Sequence, residues 1–432
     1  MTSEHRSAVA LLVSVCLLLL PAAGALPGAA AEPAGPASPL QLGAKRVVEH
    51  GTKTVSGPSL QVSESEAVHM AWIEEEKEVR GLYYLKTEAE AKTLPSPIPV
   101  KGPEEAVAAV HQSPGLALGR NGEAYFSWSA PHPQAGGKPF TSILRLSRLE
   151  TVGTAAPSSV AVNDDNAVTN HAFDHVTVSR DGTVHVAWID GREGKKEPAT
   201  FTARSSDGGR TVTKNIKVDD GTCVCCRTAL ATAPDGTVYL AWRKILEGNV
   251  RETVVARSMD GGQTYSAPVI VGNDRWVFPG CPHRPASLGV DQGGRLYVVW
   301  YTEGADETPA IYLAVSDDQG RTFSSKRQLN VSKGTFPDHP QMAVDAEGRL
   351  VVVWEEQSPV RREVVMSYSL DRGQTFSKPQ KLNDRKGQTP AVAMNHQGLV
   401  ALAWVEQVMP GRKTVLQTVR LPKDPKVADA KP

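Results

Sequence analysis

The residues best suited to chemistry are a group of cysteines and histidines. Cys223, Cys225 and Cys226 form one tight cluster, and Cys281 stands two residues before His283. Thiolates with imidazoles suit a soft cation. Cys223, Cys225, Cys226, Cys281, His283, His171 and His111 are therefore candidate ligands for copper or zinc. The spacing matches no zinc finger, because no Cys-x-x-Cys pair faces another. Once the amino-terminal Cys16 is set aside, four cysteines remain. An even number in an exported chain reads first as disulfides, and three pairings are open. Cys281 can bridge to Cys223, Cys225 or Cys226. Free, redox-active thiol is the remaining alternative.

A repeat positions these residues. Strand-like apolar runs end at Trp72, Trp128, Trp188, Trp242, Trp300, Trp354 and Trp404. Six of the seven carry a glycine six positions before the Trp: Gly122, Gly182, Gly236, Gly294, Gly348 and Gly398. Gly182 and Gly236 follow Asp directly, and Gly294 and Gly348 stand three residues after one, a tight-turn signal. Each repeat thus opens with a strand, turns at the glycine and returns on a second strand ending at Trp. Counting back from each Trp aligns His111, His171, Cys225 and His283 in one column. Cys223 and Cys281 share a second column, and Arg227 and His339 a third. Asp174, His175, Arg284 and Asp338 lie close by in sequence. Loops just after the Trp add Asp190, Arg192, Arg243, Tyr301, Glu303 and Glu355 to the same rim.

A second turn follows a third strand in four repeats. The segments are Ser205-Ser206-Asp207-Gly208-Gly209-Arg210-Thr211-Val212, Ser258-Met259-Asp260-Gly261-Gly262-Gln263-Thr264-Tyr265, Ser316-Asp317-Asp318-Gln319-Gly320-Arg321-Thr322-Phe323 and Ser369-Leu370-Asp371-Arg372-Gly373-Gln374-Thr375-Phe376. Ser-x-Asp-x-Gly-x-Thr-aromatic resembles the Asp box, or BNR repeat, of the sialidase (neuraminidase) superfamily; Val212 departs from it. The resemblance spans residues 45–421. Taken alone, the box is a turn stabiliser: Asp accepts backbone N–H groups, Gly takes positive φ, and the aromatic packs between sheets. Four strands per repeat of about 50 residues is the period of a β-propeller. The expected fold is all-β, with seven four-stranded antiparallel blades; a six-bladed sialidase fold is the alternative. The last repeat holds only three strands. The segment Lys45–Thr52 is a spare strand that would complete it and close the ring.

The resemblance also implies a site. A catalytic sialidase grips a carboxylate with three arginines, uses a Tyr–Glu pair as nucleophile and an Asp as acid/base. Arg227, Arg243 and Arg284, with Asp338 and His339, are the corresponding substrate-binding candidates here. Tyr301, Glu303 and Asp190 are the catalytic ones. The family's Phe-Arg-Ile-Pro motif is absent, so ligand binding on the crossover face, with a glycan as ligand, is expected ahead of exo-glycosidase turnover. A metal-binding or redox propeller built on the cysteines is the other expectation. His69 and His185, on second strands, read as packed or blade-surface residues rather than ligands.

Composition bounds the rest. Lys+Arg and Asp+Glu both total 47, a zero net charge without the basic footprint of a nucleic-acid binder. Residues 1–31 read as a signal peptide, with Arg6, an apolar run from Ala8 to Leu20, and Ala-x-Ala sites before Glu32. A secreted or periplasmic location follows, with no membrane span in the mature chain. Residues 32–44 form an Ala/Pro-rich linker, 45–421 the propeller, and 422–432 a disordered tail. The expected partner is a glycan or an exported protein. A closed ring needs no second copy, so a monomer is expected.

Overall fold

The computed structural model describes residues 39–100, 112–136, 138–150, 159–194, 196–330 and 334–422. The signal segment, His111 and the tail beyond residue 422 lie outside them. Among the described residues, no helix is long and apolar enough to cross a membrane.

Seven antiparallel sheets follow one another along the chain. Their innermost strands are Ser59–Val62, Gly115–Leu118, His171–Val178, Ala229–Thr232, Ser287–Val290, Phe336–Val344 and Lys386–Met394. The second strand of each blade carries the Trp and is buried along nearly its whole length, as in Val184–Asp190. A blade packs against neighbours on both faces. Its middle strand therefore reads as a continuous apolar run rather than an alternating one. All eight Trp side chains are among the largest fully buried groups.

The ring closes as the spare strand predicts. Arg46–Gly51 pairs with Gly411–Arg420 as the outer strand of blade 7, with Val48 opposite Thr414. His50 locks this strand to both neighbours. Its Nε2 lies 2.8 Å from Thr414 Oγ1 of blade 7, and its Nδ1 lies 2.8 Å from Glu74 Oε1 of blade 1. Glu74 also accepts Lys53 Nζ at 2.8 Å and Trp72 Nε1 at 3.0 Å.

The Asp boxes join third to fourth strands and have one internal geometry. Asp260 Oδ1 accepts the N–H groups of Gln263 and Thr264 at 3.0 and 2.9 Å, and Oδ2 accepts Thr264 Oγ1 at 2.6 Å. Ser258 Oγ accepts Gly262 N–H at 2.7 Å. Gly262 sits at φ +83°. Tyr265, Phe323 and Phe376 then pack between blades. Val212 fills the same place against the Trp188 cluster, so the departure from the aromatic costs volume but not position. The box hydrogen bonds hold Asp207, Asp260 and Asp318 well below the usual carboxylate range.

His69 and His185 are buried, as read from the sequence. Burial is the main force lowering each to about 4, so both stay neutral.

Candidate functional site

The crossover ends of the seven inner strands surround an axial cavity of about 360 Å³. Cys225, Arg227, His175, His283, His339 and Phe173 are in its wall. The strands reach it through irregularities. Register shifts interrupt Ala172/His175, Asp338/Gln341 and Gln388/Ala391 at corresponding points of three blades. Phe173, His283, His339 and Thr389 all take positive φ there, at 58, 54, 47 and 50°. Such conformations are costly for non-glycine residues, above all for β-branched Thr, and concentrate at functional sites. The Trp count places three of these residues in the Arg227/His339 column, but an unremarkable Phe or Thr carries no signal of its φ.

The cysteine cluster forms one side of this mouth. Cys223 N–H bonds to the carbonyl of Arg243 at 2.8 Å, which ties the crossover segment to the second strand of blade 4. Cys223, Cys225 and Cys226 are at most 4% exposed and pack with Phe173 and Ile245. Cys281 is exposed, and its loop is held by Arg251, whose Nε donates to the Phe278 carbonyl at 2.9 Å. In this structure Cys223, Cys225, Cys226 and Cys281 are free thiols. Cys223 Sγ and Cys225 Sγ lie 3.9 Å apart. The donor atoms of Cys223, Cys225 and Cys226 fall within 4.8 Å of one another, and so do those of Cys225, Cys281 and His283. Hydrogen bonding from the neighbouring thiols holds Cys223 low, while Cys225 and Cys226 are pushed up. Partial desolvation lowers the pKa of His283.

His171 does not join the cysteines. Its Nδ1 bonds to the Ser142 carbonyl at 2.6 Å, and its Nε2 lies 3.1 Å from Asp165 and 3.6 Å from Asp190. These carboxylates already meet Arg192, at 2.9 Å for Asp165 and 2.8 Å for Asp190. A guanidinium fills the place a cation would take, so the group is a structural ion network.

The arginine set also separates. Arg227 is half-buried in the cavity wall, with its Nε donating to the Asp174 carbonyl. Arg284 makes a two-point contact with Asp338 at 2.9 and 3.2 Å and lies over the Tyr301 ring. Arg243 is buried beside Trp276 and donates to the carbonyls of Tyr301 and Arg284 at 2.7 and 3.2 Å. Of the three, only Arg227 lines the cavity. Tyr301 does donate to Glu303 at 2.7 Å, but its ring is buried against Trp276, and burial raises its pKa. Asp190 accepts the Trp188 indole N–H at 2.7 Å. That role was legible: Trp72, Trp354 and Trp404 are likewise each followed, two residues on, by the acid that accepts their N–H. Trp128 and Trp242 lack the acid, and their indole nitrogens are buried without a partner. His339 faces Asp338 and Glu355, each 3.3 Å from its Nδ1, and these acids outweigh burial to raise its pKa.

The architecture is a seven-bladed β-propeller, with the candidate residues Cys225, Arg227, His283 and His339 gathered at one end of its axis. No family model matches the chain, and no curated protein sequence matches it. Solved structures do. An ulvan lyase from a new polysaccharide lyase family aligns at TM-score 0.55 and 9% identity, over 85% of this chain and 95% of that one. A Dyadobacter fermentans protein of unknown function aligns at 0.52 and 13%, over 88% and 99%. The Hadza microbial sialidase aligns at 0.47 and 16%, over 78% and 73%. At these identities the likeness is one of fold.

Proposed function

We propose that this propeller binds a thiophilic cation, copper or zinc, at the cysteine–histidine cluster on its crossover face. One observation carries the reading: Cys223, Cys225, Cys226, Cys281 and His283, drawn from two crossovers, meet as unbridged donors beside the axial cavity. A metal–sulfur bond of ~2.3 Å sets sulfur–sulfur spacings of roughly 3.8–4.0 Å in tetrahedral or trigonal geometry. The Cys223–Cys225 spacing of 3.9 Å fits that span and is far beyond a disulfide. Metal analysis of the reduced chain after anaerobic loading with Cu(I) or Zn(II) tests the reading. Bound metal that is lost in Cys225→Ser is expected; a chain that retains neither ion overturns it.

A second reading rests on Arg227. Its guanidinium is half-buried in the cavity wall, and a partly desolvated cation there favours an anionic partner. Similar propellers include an ulvan lyase bound to a GlcA(1-4)Rha3S unit, which supports a carboxylate-bearing glycan as that partner. Binding of uronate or sialate oligosaccharides, lost in Arg227→Ala, is the expected result; no binding by the wild type removes the reading. Turnover is not part of it, because the three arginines do not converge. We also propose export through residues 1–31 and a monomeric mature chain. A mature amino terminus between residues 26 and 32 is the check on export, and a monomer mass by light scattering the check on assembly.

A further inference from the structure

The donors of the cysteine cluster do not form one coordination sphere. They group as two triads, Cys223/Cys225/Cys226 and Cys225/Cys281/His283, with Cys225 common to both. A single ion at bonding distance would need all its ligand atoms within one such group, and each group supplies three.

Coordination number selects the ion. Structural zinc takes four ligands, and a site short of protein donors completes itself with water. The inner triad is sealed, with Cys223 and Cys226 at 0% exposure and Cys225 at 4%. That burial leaves little access for water as a fourth ligand. Soft thiolates select Cu(I), which is stable with three.

Charge points the same way. Four thiolates and two monovalent ions leave two negative charges. Arg251, which holds the Cys281 loop, acts electrostatically on Cys223, and Arg243 acts on Cys226. Arg243 is buried with its Nε and Nη1 lacking a hydrogen-bond acceptor among the described residues. A buried guanidinium left in that state is costly, and an anionic metal–thiolate cluster beside it supplies the missing charge.

We infer that the cluster holds two three-coordinate Cu(I) ions sharing the Cys225 thiolate, an inner one with Cys223 and Cys226 and an outer one with Cys281 and His283. The inference rests on the cation-binding reading above and sharpens it. Burial divides the labour. The inner ion is enclosed. The outer one has two exposed ligands, so ions are exchanged with a Cu(I) donor or acceptor at Cys281 and His283.

The test is a titration of the full reduced chain with Cu(I), anaerobically, against a chromophoric Cu(I) chelator. Wild type is expected to take two ions from the chelator, with a copper–copper vector in its X-ray absorption spectrum. Cys281→Ser removes an exposed side chain, so the fold, followed by circular dichroism, should be unchanged. That variant should lose one ion and the vector, and keep the other. A wild type that binds one ion overturns the two-ion arrangement and leaves the cation-binding reading standing. A wild type that binds none overturns both. Retention of two ions in Cys281→Ser, or loss of both, also overturns the shared-thiolate arrangement.

Discussion

Replacing Glu74 with Gln should loosen the ring where it closes. Burial alone would raise the carboxyl, but hydrogen bonds from His50, Lys53 and Trp72, with the charge of His50, outweigh it and lower its pKa from 4.5 to about 2. A shift of that size corresponds to about 3 kcal/mol of pH-linked stability. The side chain is 9% exposed, so little of this is screened by solvent. The sign follows from the direction. A lowered carboxyl stabilises fully above its unfolded value, and the contribution fades as pH falls from about 4.5 towards 2. Glutamine keeps the shape and one acceptor but cannot hold both His50 and Lys53. Urea unfolding followed by tryptophan fluorescence is the assay. At pH 7, Glu74→Gln should lose about 2–3 kcal/mol, and the gap to wild type should shrink through the acid range. Equal midpoints at pH 7, or a gap that ignores pH, would refute the reasoning.

Three further substitutions probe the repeat. Asp190→Ala strips the acceptor from the buried Trp188 indole and one partner from Arg192. It should cost about 2 kcal/mol or more while leaving metal binding intact; a neutral effect on unfolding, or lost metal, would contradict the structural role given to Asp190. Gly262→Ala and Gly236→Ala both place a side chain at positive φ, +83° and +90°. A Cβ at Gly262 would also lie 3.0 Å from His185 Nδ1, whereas Gly236 faces open space. Each should lose about 1 kcal/mol, and Gly262→Ala more; a reversed order in their melting temperatures would show that the inter-blade contact does not matter.

The fold was legible because its determinants are local and repeated. Trp, the turn glycine and the Asp box each recur at fixed offsets, and their hydrogen bonds fall within a few residues. The spare strand before residue 52 was legible for a similar reason, since one repeat lacked a partner. The site was legible only in part. Counting from Trp brought Cys225, His283, Arg227 and His339 to one rim, where they do meet. The same count put His171 beside the cysteines and Arg243 on an open loop. A count fixes where a Cα lies, but not which way its side chain turns. The register shifts near Phe173, His339 and Thr389 change that direction within a residue or two. Asp190 could have been read from its place two residues after Trp188, a pattern that three other blades repeat.

The closing strand also orders events in time. Arg46–Gly51 is synthesised before any blade, yet its partner Gly411–Arg420 is made after all the others. The early strand must stay without its ladder partner while six blades form, held only by side-chain contacts to blade 1 such as His50 to Glu74. Until the last hairpin arrives, the growing chain is an open arc with an uncovered apolar sheet face at each end. Such faces attract other apolar surface, so the half-made arc is the species most exposed to aggregation. It gains protection only when the two ends of the chain find each other.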